Sequence, residues 1–308
     1  MSESPLTRIG WIGTGVMGSA MCGHLMDAGH PAVVFNRTRE RADTLIAKGA
    51  EWRDSPGAVA ADSDVVFTIV GTPEDVRQVM LGESGVLPSS APGTLVVEMT
   101  TSEPLLAREL YAAGEARGVD VLDAPVSGGD VGAREARLVV MVGGKPEAFE
   151  RAQPLLDAFS RLVVLEGGPG AGQHTKMVNQ IAIASGLIGV CEALVYATRA
   201  GLDVERVIET ISGGAAGSWS LTNYAPRMLR GDFEPGFRVD HLVKDLGIAL
   251  AEARRLKLAL PGLALAQQLY VSLQAADRGD RGVQALVLAL AELSAVEWPP
   301  VTEGGNAA

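Results

Sequence analysis

The sequence is short of cysteine. Among 308 residues it has only Cys22 and Cys191, and neither belongs to a C-x-x-C pair. This scarcity gives no indication of a disulfide framework or a thiolate metal site, and it favours a reducing compartment. The opening stretch MSESPLTRIG has no charged segment followed by an apolar leader. We therefore expect a cytoplasmic protein.

Positive charge and long apolar runs are also scarce. The formal net charge is −11, and no cluster of basic and aromatic residues offsets it, so we expect no nucleic-acid partner. A small anionic substrate remains compatible with this negative net charge, because the local charge of a binding site can be opposite to that of the whole protein. The longest apolar run, IAIASGLIGVC at 181–191, is shorter than the roughly 18 residues of a membrane helix. It predicts a buried helix, and we expect no membrane partner.

Lysine is rare as well, with five lysines against 21 arginines. One of the five, Lys176, lies in the stretch GAGQHTKMVNQ at 170–180. Arginine keeps its proton at any working pH, whereas a partly buried lysine can titrate and so can act as a general acid. The alternative is a solvated lysine on a helix surface, which is the commoner role of this residue type.

Short apolar runs rich in β-branched residues alternate with helix-length segments from Arg8 to about Leu165. This alternation predicts a doubly wound, mostly parallel sheet with helices on both faces. The spacing after DAP is looser, so one strand near there can run antiparallel. The predicted strands are RIGWIG, AVVFN, DVVFTIV, LVVEM, VDVLDAP, LVVMVGG and LVVLEG.

Strand signals end at the Gly-Pro-Gly stretch of 167–170, and long segments rich in Ala and Leu follow. We therefore predict an α/β protein with a Rossmann-type domain at 1–168 and an all-α substrate and dimerisation domain at 169–308. The final VTEGGNAA has the composition of a disordered tail. Helices are predicted at 173–200, 203–211, 239–256, 261–276 and 281–294.

The first predicted strand leads into RIGWIGTGVMGSAM, where Gly13, Gly15 and Gly18 have the G-x-G-x-x-G spacing. The motif alone is weak, and its alternative is a plain glycine turn. Its position between a strand and a helix is the context of a dinucleotide-binding fingerprint. We therefore assign the three glycines, with Val16 and Met17 at the start of the helix, to cofactor binding.

The second predicted strand ends in Asn36, Arg37 and Thr38 instead of the Asp or Glu that binds the ribose 2′-hydroxyl of NAD. An acidic side chain would repel a 2′-phosphate, whereas an amide, a guanidinium and a hydroxyl can donate to one. The sequence therefore predicts a preference for NADP(H), with NAD(H) still possible. The alternative is that Thr38 only caps the next helix.

Three further stretches complete a recognisable pattern: DAPVSGG at 123–129, GAGQHTKMVNQ at 170–180 and HLVKDLGIAL at 241–250. With the glycine motif, they give a sequence that resembles the β-hydroxyacid dehydrogenase family along almost its whole length. This family includes 3-hydroxyisobutyrate dehydrogenase, tartronate semialdehyde reductase and glyoxylate/succinic semialdehyde reductases. 6-Phosphogluconate dehydrogenase is a more distant relative, and the resemblance implies its fold.

The resemblance also implies roles for individual residues. Lys176 would be catalytic, and Ser127, Gly128 and Gly129 would hold the substrate carboxylate with hydroxyl and backbone donors. Many members have an asparagine four residues after the lysine. Here Gln180 is the fourth residue after Lys176 and Asn179 is the third, so the sequence leaves open which of the two amides contacts the substrate. The remaining implied residues are Val70, Thr101 and Lys244 for the cofactor, and Phe237 and Asp245 for the substrate.

The implied enzyme is an NADP(H)-dependent oxidoreductase that interconverts a small β-hydroxyacid and its semialdehyde, with Lys176 as general acid and base. Two alternatives remain: an imine reductase on the same scaffold, in which the lysine is typically replaced, and a noncatalytic dinucleotide-binding protein. No cluster of residues has metal-ligand spacing, so we predict no metal. The extended apolar helices favour a homodimer or homotetramer.

Overall fold

The computed structural model describes residues 6–299; residues 1–5 and 300–308, which include the predicted disordered tail, lie outside the described part. The strands are β1 (Ile9–Ile12), β2 (Ala32–Phe35), β3 (Glu51–Trp52), β4 (Val65–Thr68), β5 (Leu95–Glu98), β6 (Asp120–Asp123), β7 (Val126–Ser127), β8 (Leu138–Gly143) and β9 (Ser160–Gly167). They form one sheet in the order β3-β2-β1-β4-β5-β6-β8-β7, and β9 pairs with β8.

All seven strands predicted from apolar runs are present. From β3 to β6 the pairing is parallel; Ile9 of β1, for example, pairs with Ala32 on one side and Val65 on the other. The predicted antiparallel strand is β8, which runs against β6 and β7 but parallel to β9. The sequence did not reveal β3 and β7, because a two-residue strand is too short to show a period.

Helices connect the strands, and four of them begin with a proline, whose fixed φ suits the first helical position. A capping box fixes the start of α4, where Thr72 and Asp75 bond each other's backbone N–H groups. Two 3-10 turns lie at Arg39–Ala42 and Asp157–Phe159. The helices are α1 (Val16–Asp27), α2 (Asp43–Ala47), α3 (Pro56–Ala61), α4 (Pro73–Leu81), α5 (Val86–Ser89), α6 (Pro104–Glu115), α7 (Gly129–Arg134) and α8 (Pro146–Leu156).

The central strands β1, β2, β4 and β5 are buried on both faces of the sheet. On one face Trp11 stacks on Phe67 at 5.1 Å between ring centroids, and both rings meet Phe159 edge-on. On the other face, Val33 and Val66 belong to a second apolar cluster. Burial on both sides explains why these strands read as continuous apolar runs without a polar alternation.

The second half of the chain is helical and surrounds its own apolar core, which includes Leu187, Leu194, Leu242 and Tyr270. Its long helices match the predicted segments, and a 3-10 turn occupies Val283–Ala285. The fold class predicted from the sequence is thus confirmed. The helices are α9 (Ala171–Arg199), α10 (Val204–Ser212), α11 (Trp219–Asn223), α12 (Ala225–Leu229), α13 (Val239–Arg255), α14 (Pro261–Ala275) and α15 (Leu286–Leu293).

The chain divides into two compact units, one through Lys176 and the other from Met177. The division falls inside α9, whereas the sequence suggested a boundary after residue 168. The first turn of α9 belongs to the first unit because its amides and side chains bond to residues of the sheet, as described below.

By length and composition α9 is able to cross a membrane, with 29 residues and an 18-residue window of mean hydropathy 1.8. The sequence prediction considered only the apolar run at 181–191, which is shorter than the helix around it. Core helices of water-soluble proteins meet the same criterion, and 44% of this window is buried. The composition of α9 is therefore weak evidence for a membrane segment.

Candidate functional site

The glycine loop between β1 and α1 is closely packed against its neighbours. Gly13 has a φ of +96°, and a Cβ atom there would overlap the carbonyl oxygen of Ile69. A Cβ atom at Gly18 would overlap the carbonyl oxygen of Gly13, which also accepts a 3.1 Å hydrogen bond from the Trp11 indole. Two of the three motif glycines are thus required by backbone packing.

Gly15 has a different environment. A Cβ atom there would meet no protein atom within 4 Å. Directly after it, α1 begins with Val16, which is 70% exposed, and no side chain caps the helix or places a negative charge in its first turn. Backbone N–H groups and the positive end of the helix dipole therefore face open space beside Gly15, which is the environment that a dinucleotide diphosphate needs.

Asn36, at the end of β2, holds two loops together. Its side-chain oxygen accepts a hydrogen bond from Thr14 N at 3.0 Å, and its side-chain nitrogen donates to Thr38 O at 2.7 Å. The sequence interpretation gave this amide a donor role toward a 2′-phosphate. In the structure both ends of the amide bond to the protein, so Asn36 fixes the glycine loop against the end of β2.

Arg37 and Thr38 lie at the surface. The Arg37 side chain is 86% exposed, and its guanidinium donates to Asp75 of α4 at 3.0 Å. Thr38 occupies the N-cap position of the following 3-10 turn, but its hydroxyl makes no capping hydrogen bond. The alternative capping role of this hydroxyl is therefore not seen.

The loops after β4 and β5 bond to each other. Val70 N donates to the hydroxyl of Thr100 at 2.9 Å, and Thr100 N donates to the buried carboxylate of Glu98 at 2.8 Å. Thr101 follows directly and is half-buried. These bonds fix Val70 and Thr101 at the carboxyl ends of adjacent parallel strands, where ligands of doubly wound sheets bind.

The start of α9 is anchored by a carboxylate that the sequence interpretation did not single out. Asp123, the last residue of β6, accepts hydrogen bonds from Gly170 N and Gln173 N, each at 2.8 Å. Its side chain is buried, and burial raises the pKa of this carboxyl although the N–H groups act in the opposite direction. The signal in the sequence was an Asp at the end of a predicted strand, but nothing local identified the helix that it caps.

Gln173 is a second anchor of the same helical turn. Its fully buried side chain accepts from Ser102 N at 2.9 Å and donates to Thr100 O at 2.7 Å. The first turn of α9 is thereby tied to the loop that carries Thr101. Sequence reasoning missed this residue because a glutamine inside a predicted helix has no local signature.

Lys176 lies one turn further along α9 and is 7% exposed. Its Nζ donates to the carbonyl oxygen of Val126 in β7 at 2.9 Å. Ser127 is the next residue, and Gly128 and Gly129 follow with φ values of +135° and +64°. The structure thus brings the predicted catalytic amine to the predicted carboxylate-binding loop, whose backbone conformation requires glycine and can turn successive N–H groups toward an anion.

The predicted residues of the helical unit form a group of their own. Asn179 donates to Gln180 at 2.8 Å, and the buried Gln180 donates to Asp245 at 2.6 Å. The ammonium group of Lys244 lies 3.2 Å from the same carboxylate.

Phe237 lies beside the imidazole of His241, with 6.3 Å between ring centroids. Burial and the neighbouring Lys244 lower the pKa of His241. Within residues 6–299, no group of three His, Cys, Asp or Glu side chains is placed to hold a metal ion.

Comparison with known proteins agrees with this geometry. Residues 8–168 match the NAD-binding domain of 6-phosphogluconate dehydrogenase, and residues 170–290 match the NAD-binding region of NADP-dependent 3-hydroxyisobutyrate dehydrogenase. These two matches cover most of the described chain.

Individual relatives extend the same comparison. The chain is 54% identical over 291 residues to the probable 3-hydroxyisobutyrate dehydrogenase-like 1 of Arabidopsis thaliana, covering 94% of this chain and 87% of that protein. It is 38% identical to 2-hydroxy-3-oxopropionate reductase of Escherichia coli, covering 92% and 97%.

Among solved structures, 3-hydroxyisobutyrate dehydrogenase of Mycobacterium tuberculosis with L-serine superposes with a TM-score of 0.85 at 32% identity, covering 92% and 99%. The glycine loop, the anchored lysine and these matches lead to one conclusion: the chain belongs to the β-hydroxyacid dehydrogenase family and is an NAD(P)-dependent oxidoreductase.

Proposed function

We propose that this protein uses NADP(H) to interconvert a small β-hydroxyacid and its semialdehyde, with Lys176 as the general acid and base. The observation that carries the proposal is the 2.9 Å hydrogen bond from Lys176 Nζ to Val126 O. It holds a nearly buried amine next to the Ser127–Gly129 loop, so a proton donor and an anion-binding loop lie side by side.

The proposed roles follow from this arrangement. The hydroxyl of Ser127 and the N–H groups of the glycine loop hold the substrate carboxylate. When bound, the nicotinamide ring supplies or accepts the hydride. In the reducing direction Lys176 gives its proton to the carbonyl oxygen as negative charge develops there, and in the oxidising direction its neutral amine removes the hydroxyl proton.

The helical unit supplies further candidates. Lys244 remains assigned to the cofactor, and Asn179, Phe237 and Asp245 to the substrate. For Gln180 we propose a positioning role, since its oxygen accepts from Asn179 while its nitrogen donates to Asp245.

The NADP(H) preference is supported by the end of β2. It has no acidic residue, and Arg37 and Thr38 place a guanidinium and a hydroxyl there at the surface. An exposed guanidinium can form charge-assisted hydrogen bonds to a 2′-phosphate.

The names of the relatives support a proposal for the substrate class. 3-Hydroxyisobutyrate, the product of 2-hydroxy-3-oxopropionate reduction, and L-serine all have a carboxylate and a hydroxyl on the β-carbon. We propose that this protein acts on acids of that type. Turnover of 3-hydroxyisobutyrate, L-serine, glycerate, glyoxylate and the succinic, tartronic and methylmalonic semialdehydes, measured with NADPH and NADH, identifies the substrate.

The test of the mechanism is to replace Lys176 with Ala and with Arg. We expect both variants to keep their affinity for NADPH and to lose about 10²- to 10⁴-fold in kcat, because Ala has no proton to give and Arg cannot release one. Stopped-flow and steady-state kinetics measure kcat, and fluorescence titration measures cofactor binding. A kcat near the wild-type value in Lys176→Arg would remove proton transfer by this residue from the mechanism.

The alternatives are less well supported. An imine reductase typically lacks the lysine that lies beside the Ser127–Gly129 loop, and a noncatalytic dinucleotide-binding protein has no need of a nearly buried amine there. Turnover of an imine without turnover of any carbonyl compound would favour an imine reductase. Cofactor binding without turnover of any compound would favour a noncatalytic dinucleotide-binding protein.

We also propose that the protein is cytoplasmic and forms a homodimer or homotetramer. The assembly is supported by large apolar side chains exposed on the helical unit. Val178 is 65% exposed, Tyr196 is 74% exposed and Leu265 is 54% exposed.

A further inference from the structure

The loop that follows β2 and the helix that follows β4 are joined by one ion pair. Arg37 Nη1 lies 3.0 Å from Asp75 Oδ1. In the sheet β2 and β4 flank β1, whose carboxyl end carries the glycine loop. The pair therefore spans the end of β1, on the path that the adenosine half of a dinucleotide takes from the glycine loop toward the end of β2.

The two partners differ in freedom. The Arg37 side chain is 86% exposed, whereas the Asp75 side chain is 24% exposed. Oδ2 of Asp75 accepts from Thr72 N at 3.1 Å and from the Thr72 hydroxyl at 3.2 Å, so the capping box holds the carboxylate. Asp75 is thus a fixed negative charge, and Arg37 is the partner that can turn to another anion.

We propose that Asp75 is a determinant of cofactor selectivity that competes with the 2′-phosphate for Arg37. A carboxylate and a phosphate are both acceptors for the same guanidinium, and the two anions repel each other. Asp75 therefore lowers the advantage of NADPH over NADH below the value that Arg37 alone would give. This inference rests on the NADP(H) preference proposed above.

The structure offers a substitution that removes the competition and keeps the fold. In Asp75→Asn the side-chain oxygen can still accept from Thr72 N, which preserves the cap of α4. The amide nitrogen then faces Arg37, and a nitrogen donor cannot accept from a guanidinium. Glu74→Gln is the matched control, because Glu74 is exposed in the same helical turn and the change removes the same charge.

The binding probes are adenosine 2′,5′-bisphosphate and adenosine 5′-monophosphate, which differ by the 2′-phosphate alone. In calorimetric titration at low salt, we expect Asp75→Asn to bind the bisphosphate about three- to tenfold more tightly, the range expected for an exposed ion pair and repulsion from a dianion. In Asp75→Asn the affinity for the monophosphate should change less than about twofold. In Glu74→Gln the affinity for either probe should change by no more than about twofold.

A double-mutant cycle tests whether the effect acts through Arg37. In the Arg37→Ala background most of the gain from Asp75→Asn should disappear, since there is no guanidinium to release. No gain in Asp75→Asn, an equal gain in the Arg37→Ala background, or an equal gain in Glu74→Gln would overturn the inference.

The same titrations separate this inference from the proposed cofactor preference. If Arg37→Ala weakens both probes equally, the 2′-phosphate is not bound by Arg37, and the NADP(H) preference fails. If Arg37→Ala weakens the bisphosphate alone while Asp75→Asn brings no gain, the preference stands and only the role of Asp75 fails.

Discussion

At the scale of single residues, the three motif glycines have different physical requirements. A side chain at Gly13 would force an L-residue into a positive φ and overlap the carbonyl of Ile69. Gly15 has a φ of −70°, which any residue adopts, and open space in front of it. The same motif therefore contains a residue required by backbone packing and a residue that we propose is required by the ligand.

This difference predicts opposite outcomes for two alanine variants. Gly13→Ala should lower the free energy of unfolding by about 3 kcal/mol or more, because backbone strain adds to overpacking. Gly15→Ala should leave stability within about 1 kcal/mol of wild type, yet weaken NADPH binding about tenfold or more, since its methyl group takes the space of the diphosphate. Chemical denaturation and fluorescence titration measure the two quantities. Equal stability losses in both variants would contradict this assignment.

The candidate role of a residue could be predicted from the sequence where the chemistry is local. The glycine motif and Lys176 were both identified in this way. The anchoring roles of Asp123 and Gln173 could not, because each depends on partners 47 to 73 residues away in the chain.

At the scale of elements, the site depends on how α9 begins. The helix starts with its amides bonded to the carboxylate of Asp123 and with Gln173 inserted between loop residues. Lys176 follows within one turn, and its Nζ donates to Val126 O of β7 in the sheet. This explains why the compact first unit extends as far as Lys176.

The buried carboxyl of Asp123 predicts a pH dependence of stability. Because burial raises its pKa in the folded protein, the folded state holds this proton more tightly than the unfolded chain does. The stability due to this group is complete below the ordinary pKa of about 4 and is lost as pH rises through the raised value. Asp123→Asn cannot titrate.

The stability of wild type relative to Asp123→Asn should therefore fall as pH rises from about 4 toward neutrality. Urea denaturation of both proteins at a series of pH values gives the difference. A difference that stays constant, or that grows with pH, would show that the N–H groups around Asp123 outweigh its burial.

At the scale of the whole molecule, the helical unit exposes apolar side chains that a second copy can cover. Val178 and Tyr196 are 18 residues apart on α9, about five turns, and so lie on the same face. Ala182, Gly186, Gly189 and Ala193 are exposed between them, with Glu192 as the one charged residue among them. A largely apolar stripe of this length is typical of a helix that is buried in an assembly.

We therefore expect sedimentation to give the mass of a dimer or tetramer, and Tyr196→Glu to shift the population toward smaller species. Leu162→Glu is the control, because Leu162 is 51% exposed on β9 of the first unit. A monomeric wild type, or equal dissociation of both variants, would contradict the proposed assembly.

The architecture, the dinucleotide fingerprint and the candidate catalytic role of Lys176 could all be predicted from the sequence. Hydrophobic periodicity, turn residues and glycine spacing are patterns of a few neighbouring residues, so they can be recognised without coordinates. Tertiary structure alone decided that Asp123 and Gln173 hold the turn before Lys176, that Asn36 fixes the glycine loop, and that Asp75 faces Arg37. These contacts join segments that the sheet brings together from distant parts of the chain, and no local pattern encodes which loop will meet which helix.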